Sequence, residues 1–191
     1  VDLRGKNSGS IRPRAAQAPG AGNAPGAGGA GAQPMTPAQQ AQVAQQAQGN
    51  VVSGAEPGTN FRFFWSTPFM LSPHNPRTIY LGGERLFRSY DRGETWIASA
   101  DLTRNIGRND RPIMGVDGNA PMASKHDGAA SYSNIVTISE SYVVPGILWV
   151  GTNDGNVQVS RDGGATWKNV VEKISGAPKE AHISRVEPSD F

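Results

Sequence analysis

The chain has 191 residues, a formal net charge of +2, a pI near 9.1 and no cysteine. The missing thiol excludes a disulfide scaffold, a cysteine nucleophile and a cysteine-ligated zinc site. Lysine and arginine are scattered, so nucleic acid is not an expected partner, and no run approaches the roughly 18 apolar residues of a membrane-spanning helix.

In chain order, residues 1–14 (VDLRGKNSGSIRPR) read as a short strand, a Gly/Asn/Ser turn and the start of another strand. The start at Val1 and the stop at Asp190-Phe191 look like cuts in a longer chain. Residues 15–60 are almost wholly Ala, Gly, Pro, Gln and Asn. Such a composition buries too little apolar area to offset the entropy of ordering, so a disordered insertion is expected. Within it, residues 36–48 could form a transient helix, with Thr36 as N-cap and Pro37 in the first turn. Its one large apolar residue, Val43, supplies no face to dock.

From Phe61 onward the chain divides into two similar units, residues 61–100 and 134–175, separated by residues 101–133. Strands are expected at residues 68–72, 78–82, 85–89 and 95–97, and again at 135–138, 147–151, 157–160 and 166–167. Ser72, Pro76, Ile79, Tyr80, Leu81 and Gly82 match Ser141, Pro145, Leu148, Trp149, Val150 and Gly151 at an offset of 69. Ser89, Asp91, Gly93, Thr95 and Trp96 match Ser160, Asp162, Gly164, Thr166 and Trp167 at an offset of 71. The change of two residues falls in a turn at Asn153-Asp154-Gly155, which is how repeated hairpins diverge. Residues 176–191 open a third unit, with a strand expected from His182 to Ser189.

Both units contain S-x-D-x-G-x-T-W, at residues 89–96 and 160–167. Each residue type suits a hairpin turn. A short Asp accepts backbone N–H groups a few residues on, and Gly takes φ > 0. The β-branched Thr starts the next strand, and Trp brings a large area to bury. Asp91 and Asp162 could be read as a catalytic carboxylate pair. A motif that recurs with every unit is better explained as architecture, because catalysis needs one asymmetric site.

This motif resembles the Asp-box of the BNR repeat, found in sialidases, some endoglucanases and sortilin-type receptor domains. The resemblance is closer to large bacterial proteins with a sortilin N-terminal-like domain, often described as glycosyl-hydrolase-like. It runs through TPFMLSPHNPRTIYLGGERLFRSYDRGETW, the following DLTRN and ILWVGTNDGNVQVSRDGGATWKNV, and it departs at residues 15–60. Residues 1–14 resemble the end of the preceding blade. The resemblance implies an all-β fold of four-stranded antiparallel propeller blades. About two blades would be present, as part of a ring that needs neighbouring blades of a parent chain. It also implies export, to the periplasm or outside the cell.

Residues 101–133 are too long for a plain connection between blades, and long loops often carry function. Arg104, Arg108, Asp110, Arg111, Asp117, Lys125, His126 and Asp127 concentrate there as candidate ligand contacts. The alternative is a loop held by its own turns and salt bridges. Adjacent His126 and Asp127 rarely face one point, and no H-x-x-x-H partner exists, so no metal site and no cofactor are expected. The Gly-rich patterns between residues 19 and 32 do not lead from a strand into a helix, which rejects a dinucleotide fold. His74 sits in a Pro-flanked turn and His182 near a strand start.

No catalytic set is identifiable. A sialidase would need an arginine cluster, a tyrosine nucleophile and an acid Asp, and no motif assigns those roles here. Three functions stay open: a scaffold binding a protein, peptide or glycan; a glycoside hydrolase whose carboxylates lie largely elsewhere; and a purely architectural repeat.

Overall fold

A computed structural model describes residues 11–17, 36–37, 49–123, 125 and 131–189. The fold is all-β. Among the described residues, nine strands form two sheets, accompanied by 3-10 turns at Arg108–Asp110 and Val171–Lys173. Of the expected transient helix Thr36 and Pro37 are described, with Pro37 helical, and residues 38–48 lie outside the described residues.

Strands β1 (Val51–Val52), β2 (Phe69–Leu71), β3 (Ile79–Gly82), β4 (Arg85–Ser89) and β5 (Thr95–Asp101) build the first sheet, in the order β1-β5-β4-β3-β2. The second sheet contains β6 (Ile135–Glu140), β7 (Leu148–Thr152), β8 (Val157–Ser160) and β9 (Lys168–Asn169), in sequence order. All pairings are antiparallel except β1 on β5.

The register repeats between the sheets. Ile79 pairs with Ser89 as Leu148 pairs with Ser160. Phe69 opposes Leu81 as Ile138 opposes Val150. Arg88 opposes Ile97 as Val159 opposes Lys168. These are the offsets of 69 and 71 expressed as strand pairing.

The sheets pack face to face. Tyr80 and Leu86 of the first sheet, with Leu102, cluster with Ile135, Leu148 and Val150 of the second, and all six are buried. Burial of such side chains contributes about 1.5–3 kcal/mol each, before entropy is subtracted. Polar contacts pin the seam: Ile135 N donates to Gly83 O at 2.7 Å, the His74 ring lies 2.7 Å from Ser141 O, and the Arg88 guanidinium donates to Gly163 O. Tyr80 faces Glu140 across the seam, and burial together with that carboxylate raises its phenol pKa.

A Cβ at Gly82 would collide with Pro68 of its own sheet and with Ile135 of the next. The equivalent Gly151 would collide with Thr137 and with Ile183. Ile183 N also donates to Thr152 O at 3.1 Å, as Ile135 N does to Gly83 O. Ile183 therefore stands to the second sheet as Ile135 stands to the first. The strand expected at residues 182–189 does not form, because no described segment pairs with it along its length.

Residues 49–60, grouped by composition with the insertion, are placed and carry β1. Arg14 N donates to Asn50 O at 3.0 Å and Val52 N to Arg14 O at 2.9 Å, so both ends of the insertion meet at the outer edge of β5. Val52, Ile79, Leu81, Phe87 and Trp96 form a second core, edged by Phe61 and Phe63. The final strand of the second sheet begins at Lys168, two residues beyond the expected Thr166-Trp167.

Candidate functional site

The two S-x-D-x-G-x-T-W turns superpose bond for bond. Ser89 Oγ donates to Asp91 Oδ1 at 2.7 Å and accepts from Gly93 N at 2.8 Å. Ser160 Oγ repeats both bonds with Asp162 Oδ1 at 2.7 Å and Gly164 N at 2.8 Å. The Thr95 amide and hydroxyl donate to the two oxygens of Asp91 at 2.9 and 2.6 Å, and Thr166 does the same to Asp162 at 2.8 and 2.5 Å. Gly93 and Gly164 take φ of 97° and 88°, where an L side chain is strained.

These bonds set the acidity of both carboxyls. At Asp91 partial burial opposes ionisation, but the donors from Thr95 and Ser89 outweigh it and lower the pKa. At Asp162 the Thr166 hydroxyl and amide, then the Ser160 hydroxyl, push it far below the usual carboxylate range. Each carboxylate is engaged by its own turn. The tryptophans differ: Trp96 is fully buried and its Nε1 has no hydrogen-bond partner, whereas Trp167 Nε1 donates to Gly164 O at 3.0 Å.

The loop of residues 101–133 is anchored at its base. Leu102 O accepts from Asn156 Nδ2 at 2.9 Å and from Gln158 Nε2 at 3.0 Å. Arg104 N donates to Asp154 Oδ2 at 2.7 Å, and Thr152 Oγ1 to Asp154 Oδ1 at 2.5 Å. Asp154 is fully buried, and these donors satisfy both of its carboxyl oxygens there. Ser133 closes the base, exchanging hydrogen bonds with Ile106 N and O at 2.8 and 2.9 Å.

Several predicted contact residues are occupied within the loop. Asp110 accepts from Gly107 N at 2.8 Å and Asp117 from Asn119 N at 2.7 Å, so both shape turns. Arg111 donates to the Tyr132 hydroxyl at 2.6 Å and pairs with Glu180, while Tyr132 donates to Asn153 O at 3.0 Å. Lys125 donates to Gly118 O. Arg104 is exposed and Arg108 opens a 3-10 turn. His126 and Asp127 lie outside the described residues.

Between Arg111 and Lys125 a two-residue hairpin projects. Ile113 and Val116 exchange backbone hydrogen bonds at 2.8 and 3.0 Å around Met114 and Gly115, whose φ values are 52° and 83°. Positive φ at both central positions normally selects Asn-Gly, and a Met there is strained. Its side chain is 98% exposed.

A feature missed from sequence ties this loop to the chain start. Arg111 lies over the Tyr132 ring at 5.6 Å, and Arg12 over the Phe63 ring at 4.4 Å. Phe63 and Tyr132 are related by 69 residues, while Arg12-Pro13 and Arg111-Pro112 are related by 99, as are Asp2-Leu3 and Asp101-Leu102. The 46-residue segment was masking this match, since it falls between the arginine and the aromatic residue in one unit only. Arg111 thus shares with Arg12 a contact over an aromatic ring. Both long connections, residues 14–62 and 113–131, follow an Arg-Pro at the same place in the repeat.

An open pocket of about 400 Å³ lies beside Arg12, lined by Ile11, Phe63, Phe64, Trp65 and Leu81 among others. Among the described residues no cluster of three His, Asp or Glu side chains could hold a metal ion, and no helix is long and apolar enough to cross a membrane. No family model, no curated protein and no solved structure matches the chain.

Proposed function

We propose that the chain is part of an exported Asp-box β-propeller that binds a protein, peptide or glycan through its loop-bearing end. The two sheets read as successive blades, with the S-x-D-x-G-x-T-W turns closing the third and fourth antiparallel strands of each. The observation that carries the binding reading is the construction of the 101–133 loop. Its base is locked to the second sheet through buried Asp154 and closed on itself by Ser133 bonded to Ile106, while its tip displays Met114 and Val116 on a strained turn. A rigid base under an exposed apolar tip lowers the entropic cost of binding. Strain at such a tip is what a displayed contact residue costs, and it points from structure toward function.

The test is a glycan array and a peptide pulldown, with hydrolysis assayed on any glycan retained. Binding without turnover that Met114→Ser and Arg104→Ala each weaken tenfold or more supports the scaffold. Turnover would favour the glycoside hydrolase reading. Unchanged binding in both variants would move the ligand site off this loop, and no binding at all would favour a purely architectural repeat.

A further inference from the structure

The first sheet has a fifth strand on its outer edge and the second has none. Val51 and Val52 lie parallel to Thr95 and Trp96 of β5. Asn50 N donates to Glu94 O at 2.9 Å and Ser53 N to Trp96 O at 2.8 Å, and Val52 is buried with Phe87 and Trp96. At the offset of 71, Glu94, Thr95, Trp96 and Ile97 become Ala165, Thr166, Trp167 and Lys168. Here Val170 N donates to Val157 O at 2.8 Å, and the alternation of an antiparallel ladder then turns the backbone groups of Trp167 and Asn169 away from β8. Among the described residues no strand pairs with them. Thr166, Lys168 and Asn169 are exposed, and Trp167 is half-buried where Trp96 is wholly buried. The two long connections account for the difference. The first, residues 14–62, returns to lay Val51 and Val52 on its sheet, whereas the second turns on itself at Ile113 and Val116, and none of its described residues pairs with β9. A further sheet would stack on a face and leave this edge as it is.

We infer that the outer edge of β9 receives an extended segment of a partner protein, added parallel to residues 165–169 in the register that Val51 and Val52 take on β5. Backbone hydrogen bonds supply affinity in such an addition and side chains supply specificity. A β-branched apolar residue fits opposite Trp167, as Val52 fits opposite Trp96. The next residue of the segment lies opposite Lys168, so a carboxylate there makes a cross-strand pair. A second copy of this chain is the poorer occupant. Lysine on an edge opposes edge-to-edge pairing of like chains, and Val51 and Val52 of each copy are already held by β5. The site is separate from the tip of the 101–133 loop and does not depend on a ligand there.

The first sheet supplies the probe: a peptide of residues 47–56 carrying Ser53→Glu, followed by fluorescence anisotropy against the whole chain. Saturable binding is expected. N-methylation at residue 53, whose N–H meets Trp167 O, should weaken it about fivefold or more, and N-methylation at Val52, whose N–H faces solvent, should leave it unchanged. Lys168→Cys in the cysteine-free chain locates the site. It should form a disulfide with a peptide bearing Ser53→Cys and not with one bearing Gly49→Cys. No binding, equal losses from the two methylations, or equal crosslinking of the two peptides would overturn the inference. A chain that is dimeric without peptide, and whose Lys168→Cys variant crosslinks to itself, would also overturn it by giving the edge to a second copy.

Discussion

The first and second sheets share a strand register and a turn motif, yet they differ in what covers them. The Phe69 and Leu71 strip is half exposed, while the matching Ile138 and Glu140 are shielded by Tyr80 and its neighbours. Identical strand pairing thus coexists with unequal burial. Strand pairing is set by local alternation and turn length, whereas burial is set by which sheet arrives next.

The largest expected effect tests that inequality. Ile135→Ala or Leu148→Ala in the seam should cost about 2–5 kcal/mol in chemical denaturation, since both side chains are fully buried. Phe69→Ser should change stability by less than about 0.5 kcal/mol. Comparable losses at the two places would break the comparison.

Next come the turns. Asp91→Ala and Asp162→Ala should lower Tm by similar amounts, because each removes the same set of bonds. Both pKa values are depressed in the folded state, so their contribution is present above the unfolded carboxyl value of about 3.9 and is lost as pH falls below it. An Asp91→Asn, Asp162→Asn double variant should show a shallower fall of Tm between pH 5 and pH 2 than the parent, within about that range. A parallel fall would place the acid sensitivity elsewhere.

Glu84 carries the opposite sign. Burial raises its pKa, outweighing hydrogen bonds from its own and the Arg62 amide. Keeping it ionised costs stability as pH rises through the folded value. Glu84→Gln should therefore gain relative to the parent at pH 8 and lose that advantage at pH 4 in chemical denaturation. An equal gain at both values would point to packing.

The smallest effect concerns the insertion. Its ends meet through Arg14, Asn50 and Val52, so replacing residues 18–48 by a short Gly/Ser turn should shift stability by only about 1 kcal/mol. A large loss would show that those residues contribute contacts to the sheets.

Much of the fold was legible because periodicity is local. Alternation in residues 78–89 and 147–160 located β3, β4, β7 and β8, and the motif types located the turns between β4 and β5 and after β8. The fourth strand of the second sheet begins two residues later than expected: Thr95 and Trp96 are held in β5 by pairing with β1, and among the described residues no such strand pairs with Thr166 and Trp167. At the loop, residue types marked a polar, Gly-rich connection, but not which charges were already engaged. Arg111, a candidate ligand contact by residue type, is engaged by Tyr132 and Glu180, which lie 21 and 69 residues away.

By itself the sequence determined an all-β repeat, its register and the turn chemistry, because each depends on neighbours within a hairpin. Tertiary structure alone decided that Asp154 anchors the loop, that β1 joins β5 in parallel, and that Phe69 and Leu71 are half exposed where the equivalent Ile138 and Glu140 are covered. Those outcomes depend on contacts between residues far apart in the chain, for which a local pattern carries no signal.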